Sequence, residues 1–188
     1  MNCGEVVGVC RQFLRGGYVL RGCFLADQLP IRKDRTTYNE FFVVNILTSR
    51  HRPTLMGHYV LVVVGKYCIA YFDSYGIKPH IYSPWLQRFI DQYYDKSFLD
   101  IGRHLQSIDS LTCGAYAIFI MYHINLHGID YIVNFLRFYF SQNDFRYNDR
   151  KVIRFLYRNF KMPRCERLFC NESLSKKECE RMFCGIGN

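Results

Sequence analysis

The chain has 188 residues, 49% of them hydrophobic and 17% aromatic, which is enough to bury one core and too apolar for a disordered chain. No apolar run reaches the length of about eighteen residues that a membrane-spanning helix requires. The net charge of +9 is unevenly placed: residues 1–52 hold 8 basic and 4 acidic residues, residues 53–136 hold 5 and 6, and residues 137–188 hold 12 and 6. A neutral middle between basic flanks suits a polyanion bound away from the chemical centre.

At the N-terminus, MNCGEVVGVCRQF has a short apolar stretch but no basic region ahead of it, and Glu5 stands where a secretion signal would be positive. Cys3, Cys10, Cys23, Cys68 and Cys113 are scattered singly among apolar neighbours. Together these features predict an intracellular protein with reduced thiols. Gly16 to Phe24 is glycine-rich and apolar, and LADQLPIRKDRTTY, with Pro30 and a run of charge, predicts a loop. Phe41 to Leu47 is β-prone with both parities apolar, as for a central strand covered on two faces. SRHRPT ends it at Pro53.

In GHYVLVVVGKYCIAYFDSYG, two β-branched and aromatic runs flank Gly65-Lys66, a glycine-first pair that predicts a two-residue hairpin turn. With the turn there, Val64 faces Tyr67 and His58 faces Asp73. Directly opposed residues share one side of a sheet at about 4.5–5.5 Å between Cβ atoms, so the carboxylate can hold the imidazole.

From His104 to Met121 the chain reads HLQSIDSLTCGAYAIFIM. The run Ala115 to Met121 is apolar all round, which predicts a helix buried on every face with Cys113 in its first turn. A thiol there feels the positive end of the helix dipole and the unpaired first-turn N–H groups, both of which favour thiolate. Cys113 as nucleophile, His58 as base and Asp73 as the group that orients the base form a complete set for covalent catalysis. Gln106, seven residues before Cys113, supplies a neutral amide that with the Cys113 backbone N–H makes a two-donor oxyanion hole.

After Gly128, a helix stop, YIVNFLRFYF is aromatic and expected in the core. A second helix follows, with Arg150, Lys151, Arg154, Arg158 and Lys161 near helical spacing and Val152, Ile153, Phe155, Leu156 and Phe160 on the other side. That basic face is the candidate DNA site. The tail, residues 163–188, holds Cys165, Cys170, Cys179 and Cys184 in two C-x4-C pairs, a weak zinc candidate because x4 is the upper end of the usual two to four between paired ligands and the eight residues between the pairs are few. Residues 1–162 are thus expected to form the catalytic domain and the remainder a Cys-rich basic tail. No other metal site is expected.

His58, Asp73, Gln106 and Cys113 in that order, with YFDSYG around the acid and LQSIDSLTCGAY around the thiol, resemble the adenovirus-type cysteine endopeptidases. Relatives of these are the ubiquitin-like-protein proteases and the proteases of Polinton-type elements and other double-stranded DNA viruses. LADQLP and YNDRKVIRF look like the viral and transposon branch, and the resemblance covers roughly residues 14–160. It implies an α+β, papain-like fold in which the helix of Cys113 packs against a mixed or antiparallel sheet carrying His58 and Asp73. It also implies a monomeric endopeptidase in the host nucleus or virion. Such an enzyme cuts capsid or core precursors at Gly-containing sites, needs no cofactor for its chemistry and takes DNA or a peptide as activator. Two positions depart from the pattern: Tyr59 stands where relatives place Trp, and no cysteine lies between Asp73 and Gln106 to anchor an activating peptide. A deubiquitinase or ubiquitin-like-protein protease of the same fold, a chymotrypsin-like cysteine protease and a non-enzymatic basic DNA-binding protein are the alternatives. The chymotrypsin-like class expects Gly-x-Cys-Gly-Gly leading into a strand, whereas here Cys113-Gly114-Ala115 leads into a helical run.

Overall fold

The computed structural model describes residues 1–14, 17–31, 39–51 and 57–160. Five strands, β1 (Val19–Leu25), β2 (Glu40–Asn45), β3 (Tyr59–Val64), β4 (Cys68–Phe72) and β5 (Ser97–Asp100), form one sheet in sequence order. β1–β2 and β4–β5 pair in parallel and the two inner pairings are antiparallel, so the chain is α+β with a mixed sheet.

Every residue of β2 and β3 is buried, which explains why both parities of these strands are apolar. Alternation sends the odd residues, Phe41, Val43, Leu61 and Val63, to one face and the even ones, Phe42, Val44, Val60, Val62 and Val64, to the other. The even face is covered by Leu86, Phe89 and Ile90 of helix α3 (Pro84–Asp91). Pro84 at the first helical position and Ser83, whose side chain accepts from Trp85 N (3.2 Å), start that helix. The short helix α2 (Pro79–Tyr82) precedes it.

The odd face is covered by α1 (Cys3–Phe13), α4 (Cys113–His127), α5 (Ile129–Tyr139) and α6 (Phe145–Asn159). Cys113 to Met121 are all buried, as expected for a central helix wrapped on every side. Ile118 and Ile120 are mediocre helix formers, but each fully buried side chain of this size contributes about 1.5–3 kcal/mol, more than the propensity deficit. Gly128 ends α4 with φ +85° and donates to Ile124 O (2.8 Å). α1 begins in a capping box: Asn2 Oδ1 accepts from Glu5 N (2.9 Å) and Glu5 Oε2 from Asn2 N (2.7 Å). Glu5 is therefore a helix cap.

The aromatic segment after Gly128 is only partly core. Ile132, Leu136 and Phe140 are buried, but Tyr131 is 41% and Phe138 88% exposed, because α5 is amphipathic and turns one side to solvent.

Candidate active site

Cys113 opens α4, His58 immediately precedes β3 and Asp73 immediately follows β4, so three chain segments meet at one end of the sheet. The hairpin that brings His58 to Asp73 differs in register from the expectation. Val64 pairs with Ile69 and Leu61 with Phe72, and Gly65 N donates to Cys68 O (2.8 Å). Lys66 and Tyr67 thus make the turn, and His58 lies diagonal to Asp73 instead of directly opposite. The displacement is two residues, so both side chains keep the same face. Gly65 is a glycine for packing: a Cβ there would lie 2.9 Å from Ile129 Cδ1 of α5.

Gly57 holds His58 in place. A Cβ on Gly57 would fall 1.8 Å from Asn45 Oδ1 and 2.7 Å from Leu47 Cγ, so only glycine lets the chain press against the end of β2, where His58 O accepts from Ile46 N (2.9 Å). On the acid side, Gly76 turns the chain at φ +72° and donates to Asp73 O (3.1 Å).

Asp73 is fully buried. Its Oδ1 accepts from His58 Nε2 and Tyr75 N, and its Oδ2 accepts from Ile77 N (2.7 Å) and the Tyr82 hydroxyl (3.1 Å). A carboxylate with four donors is oriented without freedom to rotate. With Nε2 engaged, Nδ1 of His58 is left for Cys113, which is near enough for the two groups to act on each other's ionisation. Burial opposes charge on His58, yet the bonds to Asp73 and Cys113 and their negative charge overcome it and raise its pKa to about 9. Burial likewise opposes a thiolate at Cys113, which is 8% exposed. The bond and charge of His58, with the Tyr59 and Gly114 backbone N–H groups, hold its pKa below the ordinary thiol value all the same. Both shifts favour a thiolate–imidazolium pair near neutral pH.

Gln106 is fully buried beside this pair. Its Oε1 accepts from Ser74 Oγ (2.6 Å), and its Nε2 donates to Ser110 O (2.8 Å) and the Tyr75 hydroxyl (3.2 Å). The Ser110 carbonyl can only accept, so the amide orientation is forced. Tyr75 lies flat against His58, with ring centroids 4.7 Å apart and planes at 27°.

Asp149 of α6, 2% exposed, is a site residue that sequence reasoning missed. It accepts from Ser107 N (3.2 Å), Thr112 Oγ1 (2.9 Å) and the Tyr116 hydroxyl (3.1 Å). The loop carrying Gln106 is thereby pinned to the start of α4. Its neighbour Asn148 donates to Leu105 O (3.2 Å) and Ser141 O (2.8 Å). Burial pushes the Asp149 pKa up to about 6, against the hydrogen bonds from Thr112, Ser110, Ser107 and Tyr116. The only advance signal was the polar pair Asn148-Asp149 on the otherwise apolar side of α6.

Other sequence candidates fare differently. Arg150, Arg154 and Arg158 follow one another at four-residue intervals along α6, on one face. Lys151 is engaged locally: its ammonium donates to Tyr139 O and sits 3.7 Å from the Tyr139 ring centroid, and burial lowers its pKa. Lys161 and the four tail cysteines, Cys165, Cys170, Cys179 and Cys184, lie outside the described residues, as does Gly16. Among the described residues no cluster of His, Cys, Asp or Glu could hold a metal, and no helix is long and apolar enough to cross a membrane.

The expectation of wholly reduced cysteines is corrected. α1 lies across β1 and brings Cys3 and Cys23 together as a disulfide, with Cα atoms 5.6 Å apart. Cys10, Cys68 and Cys113 are free.

No model of a known protein family matches the chain, and no curated protein matches it.

Proposed function

We propose that this chain is a thiol-dependent endopeptidase of the adenovirus type, in which the Cys113 thiolate attacks a peptide carbonyl. The observation that carries this reading is the buried Asp73 holding His58 by a hydrogen bond, with Cys113 near enough for the imidazole to lower its pKa. Each member arrives from a different segment, and Cys113 stands at the head of a helix whose dipole favours the thiolate. The papain-like arrangement belongs to the same reading, since the nucleophile helix packs on the sheet and one end of the inner strands β3 and β4 holds the base and acid.

In the reaction, the thiolate adds to the carbonyl carbon and His58 gives its proton to the leaving amine. A water molecule, deprotonated by the now neutral His58, then hydrolyses the thioester. Asp73 holds the imidazole in the required tautomer and stabilises its charge. Gly-containing sites in precursor proteins are the substrate class of this reading, as the resemblance implies. A ubiquitin-like tag ending in Gly-Gly falls in the same class. Duplex DNA is the proposed activator, on the face of Arg150, Arg154 and Arg158, and the host nucleus or the virion is the proposed setting.

The test is mass spectrometry of products from a panel of Gly-containing peptides and a Gly-Gly-tagged protein, with and without duplex DNA. Cleavage after glycine that disappears in Cys113→Ala is expected, and cleavage unchanged in that variant rules the reading out. DNA stimulation should fade with salt at a log–log slope of about −0.9 per neutralised phosphate. A salt-independent stimulation would remove DNA as a partner.

A further inference from the structure

Both amide hydrogens of Gln106 have acceptors, one in Ser110 O and one in the Tyr75 hydroxyl. An oxyanion that used this amide directly would have to displace one of them. The Tyr75 hydroxyl is differently placed. It accepts from Gln106, and its own hydrogen has no acceptor among the described residues. The same residue touches the rest of the machinery, since its backbone N–H donates to Asp73 Oδ1 (3.2 Å) and its ring stacks on His58 at 4.7 Å. Tyr75 is thus fixed at three points, by Asp73, His58 and Gln106, with one unused donor.

We propose that Tyr75 is a further catalytic residue, its hydroxyl donating to the oxyanion formed when Cys113 attacks, and that Gln106 is the positioning residue behind it. The inference rests on the proteolytic reading and deepens it. As the S–C bond forms, the π pair of the carbonyl moves onto oxygen, and that oxygen accepts the Tyr75 O–H hydrogen bond. When the intermediate collapses, the carbonyl re-forms and the C–N bond breaks, the amine leaving with the proton from His58. The phenol keeps its proton throughout: burial, then the negative charge of Cys113, raises its pKa to about 12. A hydroxyl that accepts from Gln106 is also polarised into a better donor.

The test compares kcat and KM for the parent, Tyr75→Phe, Gln106→Ala and the double variant on one peptide that the parent cuts. Phe keeps the ring on His58, so a kcat lower by about 10²-fold at nearly constant KM is expected for Tyr75→Phe. Gln106→Ala should cost less, and in the Tyr75→Phe background it should add no more than a few-fold, because it acts through the hydroxyl. The pH profile of Cys113 alkylation should be the same in Tyr75→Phe as in the parent, so that the fall in kcat cannot come from a disturbed thiolate–imidazolium pair. Tyr75→Phe with kcat within threefold of a Cys113-dependent parent overturns this inference alone. So does a loss of kcat accompanied by a shifted alkylation profile. A parent without Cys113-dependent turnover overturns the proteolytic reading and this inference together.

Discussion

Two buried carboxylates stand on either side of the nucleophile and differ in what surrounds them. Asp73 meets a group that can carry positive charge, His58, along with two backbone N–H groups and a tyrosine hydroxyl. Among the described residues Asp149 meets neutral donors, Ser107 N–H and the hydroxyls of Ser110, Thr112 and Tyr116, and burial drives its pKa up to about 6. A buried charge needs a countercharge as well as hydrogen bonds, and only the Asp73 end of the molecule provides one. The first carboxylate is built to serve a charge that appears during reaction, the second to clamp a loop.

Substituting each acid by its amide separates the two roles. Asp73→Asn should lower kcat by roughly 10³-fold or more, since the amide presents the wrong tautomer to His58 and no charge to the imidazolium. Asp149→Asn keeps the shape of the clamp but turns one acceptor into a donor facing a donor. It should destabilise the fold by about 1–3 kcal/mol with a smaller loss of kcat. Thermal denaturation beside steady-state kinetics resolves both, and equal kinetic losses at equal stability would erase the distinction.

The disulfide tests how independent the site is of its flank. Reduction of Cys3–Cys23 reopens a segment with sequence separation 20, which should lower stability by about 3 kcal/mol. A melting scan with and without dithiol measures it.

pH sharpens the contrast further. The folded pKa of Asp149 is raised, so its contribution to stability is fully present below the ordinary carboxylate value of 3.8 and is lost as pH rises through about 6. Asp149→Asn should remove that slope from stability measured by denaturant between those limits. For activity, the rising limb should lie below the ordinary thiol range as Cys113 ionises, and the falling limb near 9, where His58 loses its proton.

The smallest effect concerns a third buried polar group, one without a hydrogen-bond partner among the described residues. Both ring nitrogens of His123 are buried without a hydrogen bond, among Phe119, Phe135 and Phe155. Burial, with His127 nearby, lowers its pKa to about 4. Its neutral form belongs to the fold, so its contribution is present above the ordinary value of 6.5 and is lost as pH falls through about 4. His123→Phe should be stabilising by about 1 kcal/mol and flatten that acid slope. A destabilised variant would mean that the imidazole has an acceptor after all.

How much of this was legible in the sequence follows from the range of the forces involved. The apolar run after Cys113 and the two-parity strand at Phe41 announce burial directly, because each residue reports its own environment. His58 and Asp73 could be paired because strand parity survives a register error of two. The turn itself was misplaced, since Gly65 carries the same signal whether it bends the chain or makes room for Ile129, which is 64 residues further on. Cys3–Cys23, the Asp149 clamp and the link from Tyr75 to Gln106 depend on how separate elements pack, and local pattern does not encode packing. Glu5 shows its charge in the sequence, whereas its role as a cap depends on the local fold of Asn2.

The most direct measurement of the central claim is the pH dependence of iodoacetamide alkylation, read residue by residue through peptide mass spectrometry in the parent and in His58→Ala. Cys10, buried with its pKa raised to about 12, serves as the internal control. The expected result is Cys113 modification that is already fast well below the ordinary thiol pKa in the parent and reverts to an ordinary or slower profile in His58→Ala, with Cys10 inert in both. Cys113 titrating like an ordinary thiol in the parent, or unchanged by loss of His58, would contradict the thiolate–imidazolium pair and the proteolytic function built on it.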